Sequence, residues 1–152
     1  MEERFNSLFS GLKRAHGTYE IKDSRVDGKL TGKAVTVREA VTMAHWKNHL
    51  NGTKGLGIIP INDDSNVKFG AIDVDEYKDL DLVALATRLK DLDLPLVPCR
   101  SKSGGVHLYL FCREWVPAKL MKHKLEEISA ALGFGGSEVF PKQIQILAER
   151  GD

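Results

Sequence analysis

Between residues 67 and 148 the hydrophobic period of the chain switches between two and about 3.6 in a definite order, and that order restricts the fold more than any other feature. "VKFGAIDVD" alternates as a strand. Residues 79–92 place Leu82, Leu85, Ala86 and Leu89 on one helical face. "LPLVPCRS" and "GVHLYLFC" read as two further strands. Pro117 stands where the first turn of a helix tolerates proline, and Met121, Leu125, Ile128 and Leu132 follow at steps of four, three and four. "SEVF" and "QIQIL" supply the last strand or strands. The sum is a βαββαβ unit of RRM-like or ferredoxin-like type, with strand order 4-1-3-2 and both helices on one face.

Residues 1–66 read as a small α/β lobe packed against that unit. Phe5, Leu8, Phe9 and Leu12 recur at helical spacing. "GTYEIKDSRVDGKLTGKAV" forms one or two short strands around Asp27-Gly28. Thr36 and Glu39 make a capping-box pattern that opens a helix through Val37, Val41, Trp46 and Leu50, stopped at Asn51-Gly52. "GLGIIPI" reads as a short strand ended by "NDDSN". The fold class is therefore α/β (α+β), and 152 residues suit one domain or two small lobes sharing a core.

Composition excludes several classes. At 42% hydrophobic and 28% charged the chain is an ordinary globular one and not a disordered one. The net charge of +1 argues neither for nor against nucleic acid, so any basic surface is local. Two cysteines, Cys99 and Cys112, form no framework or CxxC pair, which favours a reducing cytoplasm. The N-terminus is too charged for a signal peptide, and no apolar run spans a membrane.

"FGAIDVDEY" poses the chemical question. Asp73 and Asp75 are two apart on a strand and share a face, while Ile72 and Val74 point into a core. Carboxylates ~7 Å apart repel by about 2 kcal/mol at an effective dielectric near 20. In the 4-1-3-2 order the end of the first strand lies beside the start of the third, which carries His107. The fourth strand starts near Glu138 at the same end. Taking Ser103-Gly104 as the hairpin turn sets Arg100 across from His107 and Pro98 across from Tyr109. The open face is then Leu96, Pro98, Arg100, His107, Tyr109 and Phe111, and Cys99 and Cys112 face the core. Phe69, Tyr109 and Phe111 on that face either stack bases or support a second layer.

A divalent metal answers the repulsion. Mg²⁺ or Mn²⁺ takes oxygen ligands from one or two carboxylates plus substrate phosphates. Two ions ~4 Å apart clamp the attacking and leaving oxygens of an in-line phosphoryl displacement. His107 and Arg100 supply donors for a phosphate, and Gly104 and Gly105 let backbone N–H groups approach it.

"AIDVD", "SKSGGVHLYLF" and "SEVFPKQ" resemble the three motifs of the archaeo-eukaryotic primase superfamily: an acidic DxD, a small-x-His and a hydrophobic-acid motif. The likeness is to bacterial and phage primase-polymerases, including those of transposon-associated conflict systems of the TOTE type. Trp46, His49, Leu50, Gly52, Gly55, Leu56, Gly57, Ile58 and Pro60 also look like that group, and the resemblance spans roughly residues 15–145. It implies an active site between the RRM-like half and the second module. Asp73 and Asp75 would bind the two Mg²⁺ or Mn²⁺ ions, with Glu138 as the third acid. His107 would contact the phosphates of the incoming nucleotide, with Ser101, Lys102, Ser103 and Lys142 among the nucleotide-binding residues. The implied activity is template-dependent transfer of nucleotides from (d)NTPs to a primer, or de novo, on DNA. The chain stops at "AERGD", where relatives continue, so the resemblance implies a catalytic fragment of a longer chain, partnered by a helicase or other domain.

Rival readings are a non-catalytic module that binds single-stranded nucleic acid, and a metal-dependent nuclease. Asp73-x-Asp75 does not open a Ca²⁺ loop, because Tyr77, Lys78 and Ala84 occupy ligand or turn positions. "DGKLTGKA" is a residue short of a phosphate loop and lacks the Ser/Thr after its lysine. His45, His49 and His123 fall on helices or their ends as surface or packing residues. Lys13-Arg14 and Lys119, Lys122 and Lys124 read as solvated faces within reach of template phosphates.

Overall fold

The computed structural model describes residues 1–26, 29–75, 80–101 and 104–146, with the backbone alone for 21–26 and 29–31. Among these described residues four helices and six strands follow in the order α1 Glu2–Leu8, β1 His16–Val26, β2 Lys29–Val37, α2 Met43–Leu50, β3 Asn66–Val74, α3 Leu82–Asp91, β4 Leu96–Arg100, β5 Val106–Pro117, α4 Ala118–Leu132 and β6 Glu138–Phe140. A mixed α/β fold is thus observed. Its four-stranded sheet is antiparallel throughout, in the order β4-β5-β3-β6. Numbered within the βαββαβ unit, this is the expected 4-1-3-2 arrangement read from the other edge.

Helical spacing accounts for the covered face. Asp81 caps α3 by accepting from the backbone N–H groups of Val83 and Ala84, so the helix begins at Leu82; residue 79 lies outside the described residues. Leu85 and Leu89 are buried, whereas Ala86 is exposed. α4 buries Met121, Leu125 and Leu132 against Ile72, Val74, Val106 and Leu108. Gly70 permits that approach: a Cβ there would lie 2.6 Å from Leu125 Cδ1 and 2.7 Å from the Phe140 carbonyl oxygen. The glycine thereby lets both α4 and β6 lie close on β3, and β6 brings Glu138.

The N-terminal residues cover the open face. Phe9, which ends α1, sets its ring edge-on to Phe69, Tyr109 and Phe111 at centroid distances of 5.1, 5.3 and 5.3 Å. Trp46 of α2 packs 6.2 Å from Phe9 and donates its indole N–H to Asn6 Oδ1 at 2.9 Å. The aromatic face therefore supports a second layer, and the base-stacking alternative for these three rings falls away.

Several local expectations are corrected. Thr36 and Val37 lie in β2, and the capping box is formed by Thr42 and His45, whose imidazole stands in for the usual Glu or Gln. "GLGIIPI" contributes only a bridge, Gly57 to Gly17, with both N–H···O bonds at 2.7 Å. Gln143–Ile146 forms no strand. β1 and β2 do pair as a hairpin, although Asp27 and Gly28 lie outside the described residues.

The β4–β5 register is the correction that matters for the site. Cys99, not Arg100, pairs with His107; Arg100 pairs with Val106, Pro98 with Leu108 and Val97 with Tyr109. A one-residue slip exchanges the faces of β4. Leu96 joins the core, and Val97 and Cys99 share the face of His107 and Tyr109. The connection is not a two-residue turn at Ser103-Gly104. It runs from Ser101 to Gly105, closed by the Ser101 N–H donating to the Gly105 carbonyl at 2.9 Å.

Candidate active site

Three strands deliver one residue each to a single row. Asp73 pairs across β3–β5 with His107 and across β3–β6 with Glu138. Directly opposed residues on neighbouring strands share a face with Cβ atoms ~5 Å apart. Cys99 extends the row onto β4. Cys99, His107 and Glu138, which lie 26, 34 and 65 positions from Asp73 in sequence, thus join its row only through strand pairing.

The His107 Nε2–H donates to Asp73 Oδ1 at 3.1 Å, with both side chains partly exposed. For the neutral ring this leaves Nδ1 to accept from the Tyr109 hydroxyl at 3.3 Å. A Tyr109–His107–Asp73 chain therefore sets the tautomer and orients one carboxylate oxygen of Asp73. Burial pushes the Tyr109 phenol above its ordinary value, with smaller contributions from Cys99 and Asp73. It stays a neutral donor through the neutral pH range. Tyr109 was read from sequence as an open-face aromatic only. The signal that could have placed it here is the His-x-Tyr spacing on one strand, which puts both side chains on one face.

Glu138 forms an ion pair with Lys142 Nζ at 2.6 Å, both about half exposed. Such a pair contributes little to stability, but it neutralises the acid at the strand's start. The Lys122 ammonium donates to the Lys142 carbonyl at 2.8 Å, tying that turn to α4. Asp75 follows the end of β3 and is exposed.

The loop before β5 lies against the acids. A Cβ on Gly105 would sit 2.4 Å from the Val74 carbonyl oxygen and 3.5 Å from Asp75 Cα, so only glycine allows this contact. Ser101 Oγ lies 3.4 Å from the same position. The Gly104 N–H donates to the Ser101 carbonyl at 3.2 Å, which assigns it to the turn. Lys102 and Ser103 lie outside the described residues. Arg100 is corrected: its partner Val106 is fully buried on the helix-covered face, so the strand directs Arg100 away from His107. Cys99 is corrected likewise: it is exposed beside His107, and partial burial raises its thiol above the ordinary range. Cys112 packs against the core, as expected.

Gly105→Ala is expected to push the 101–105 loop off Val74 and Asp75. Nucleotide incorporation should fall at least tenfold, with stability lowered by about 1–2 kcal/mol as the loop shifts to relieve overpacking against the Val74 carbonyl. Steady-state incorporation beside a thermal melt checks it, and a wild-type rate would mean that the loop contact is idle.

The donor set suits a hard divalent cation. Asp73 and Asp75 offer carboxylate oxygens at the solvent-facing end of one strand. Mg²⁺ keeps several waters and uses one or two carboxylates plus phosphates. Among the described residues there is no group of three or more His, Cys, Asp or Glu side chains disposed to hold a metal by themselves. The 450 Å³ cavity beside Phe9 and Trp115 is lined by none of these residues; the row lies on open surface.

The model of a protein family described as TOTE conflict system, Archaeo-Eukaryotic Primase domain, matches residues 17–143. That span includes Asp73, Asp75, His107, Glu138 and Lys142. No curated protein matches the chain. No helix among the described residues is long and apolar enough to cross a membrane.

Proposed function

This chain belongs to the archaeo-eukaryotic primase domain family of TOTE conflict systems, and from that premise we propose that it is a template-dependent nucleotidyltransferase, a DNA primase or polymerase acting on (d)NTPs. The observation that carries the reading is the Glu138–Asp73–His107 row across three strands, with Asp75 two residues on. Two acids and a histidine on one exposed sheet end are what phosphoryl transfer needs, because its catalysis is positioning and charge neutralisation more than covalent chemistry.

Asp73 and Asp75 would hold Mg²⁺ or Mn²⁺, which when bound supplies charge neutralisation for the triphosphate and the transition state. Glu138 would join them on release of Lys142, whose ammonium then faces the triphosphate. His107 holds the Asp73 carboxylate through Nε2–H and would donate that N–H to a nucleotide phosphate once the metal takes over the carboxylate. Gly105 keeps the 101–105 loop against Asp75, so Ser101 and the loop backbone flank the same space.

Incorporation of labelled nucleotide on a primed template, with Mg²⁺ or Mn²⁺, tests the activity. Primer shortening in place of extension would instead identify a nuclease. His107→Ala is expected to raise the apparent KM for nucleotide about tenfold or more, the value of a charge-assisted hydrogen bond, with template affinity nearly unchanged. A nucleotide titration at saturating template measures it. An unchanged KM and rate would remove His107 from the nucleotide site.

A further inference from the structure

Trp115 lies on β5, eight residues beyond His107 and past the irregularity that separates the Phe69–Phe111 and Val67–Val116 pairs. Over the same stretch the partner strand runs only six residues, from Asp73 to Val67, which is roughly 20 Å at the usual rise per residue. Trp115 is 37% exposed. It lines a cavity of about 450 Å³ together with Asn6, Phe9, Lys13, Val41 and Lys68. Among the described residues no acid lines this cavity. Lys68 Nζ stands 5.9 Å from the Trp115 ring centroid. Neither Lys13 nor Lys68 forms an ion pair among the described residues.

These features belong together chemically. A partly exposed indole offers a stacking surface for any base, and two unneutralised ammonium groups beside it offer phosphate contacts. Stacking platforms combined with basic grooves are how proteins hold single strands without reading sequence. Duplex, whose bases are already stacked, cannot use the indole. The overall charge of +1 makes the concentration of cations without acids here a local feature. On the other side of Leu12 a second cavity of about 480 Å³ carries Arg14 and Arg38, but Arg14 is already paired with Asp63 at 2.8 Å.

We propose that the Lys13–Lys68–Trp115 cavity is a single-stranded nucleic-acid site, distinct from the acid–histidine row and one strand length from it. Within the primase reading, on which its role as a template site rests, it holds the strand away from the point of nucleotide addition. The binding itself requires neither metal nor nucleotide.

The test is fluorescence anisotropy of a labelled 20-nucleotide oligothymidylate on the full chain, in EDTA and without nucleotide, over a series of salt concentrations. Trp115→Ala should weaken binding about tenfold, and Trp115→Phe should restore most of it. Lys13→Ala with Lys68→Ala should weaken binding by a similar factor. That pair should also reduce the slope of log K against log salt by about 1.4, the release expected for two phosphates. Circular dichroism confirms that the variants fold, since all three positions lie at the surface of the cavity. Wild-type affinity and salt slope in these variants would overturn the site, as would equal or tighter binding of a duplex of the same length. Absence of incorporation by the wild-type chain, with these binding effects intact, would sink the enzyme reading and leave the site standing. Normal incorporation with unaffected binding would do the opposite.

Discussion

Asp73→Ala should abolish nucleotide incorporation, lowering the rate by a factor of about 10³ or more, while the protein stays folded. Asp73 is the centre of the row, opposed by His107 on one side and Glu138 on the other. Its removal deletes a metal-binding carboxylate and leaves His107 Nε2–H without its acceptor. A thousandfold corresponds to about 4 kcal/mol of transition-state stabilisation, the scale on which a metal clamp on phosphate oxygens acts. Stability should barely change, because Asp73 is partly exposed and its loss relieves repulsion with Asp75 and Glu138. Asp75→Ala should act alike. Asp73→Asn separates charge from shape: it keeps a hydrogen-bond acceptor for His107 but not the negative charge, and should be nearly as inactive. Incorporation at near wild-type rate by both alanine variants would refute the metal reading.

Phe9→Ala should cost about 2–4 kcal/mol of folding stability, at the lower part of the range for buried aromatics, since Phe9 itself is only half-buried. The ring meets Phe69, Tyr109 and Phe111 edge-on and Trp46 from the side. Deleting it uncovers three aromatic rings of the sheet at once, so water reaches a face that carries the functional row at one end. Urea unfolding followed by Trp fluorescence measures the loss, and the denaturant slope reports whether α1 remains docked. Phe9→Leu should recover about half of the stability by filling part of the gap. A change below about 0.5 kcal/mol in Phe9→Ala would mean that the N-terminal helix contributes nothing to covering the sheet.

Much of this was legible because it depends on neighbours along the chain. Strand alternation put Asp73 and Asp75 on a face apart from Ile72 and Val74. The βαββαβ order, with the connections it permits, placed His107 and Glu138 at the same end as Asp73. What was illegible depended on choices that local pattern leaves degenerate. In "LVPCR" nearly every side chain is apolar or proline, so alternation cannot say which face enters the core. The register was left to the turn, and the turn is longer than two residues. Arg100 and Cys99 exchanged places for that reason.

The chain's sequence by itself determined the order of the βαββαβ elements in its second half and the meeting of two aspartates, a histidine and a glutamate at one sheet end. These follow from side-chain period and from the few ways of connecting four strands. Only the tertiary structure decided what lies beside them. Gly105 closes on the Val74 carbonyl because a backbone oxygen, distant in sequence, leaves no room for a Cβ. Phe9 claims the aromatic face because docking a helix onto a sheet depends on shape complementarity between segments 60 to 100 residues apart. Trp115 shares a cavity with Asn6 of that helix and with Phe9, yet stays exposed, a juxtaposition of segments over 100 residues apart that no local pattern predicts.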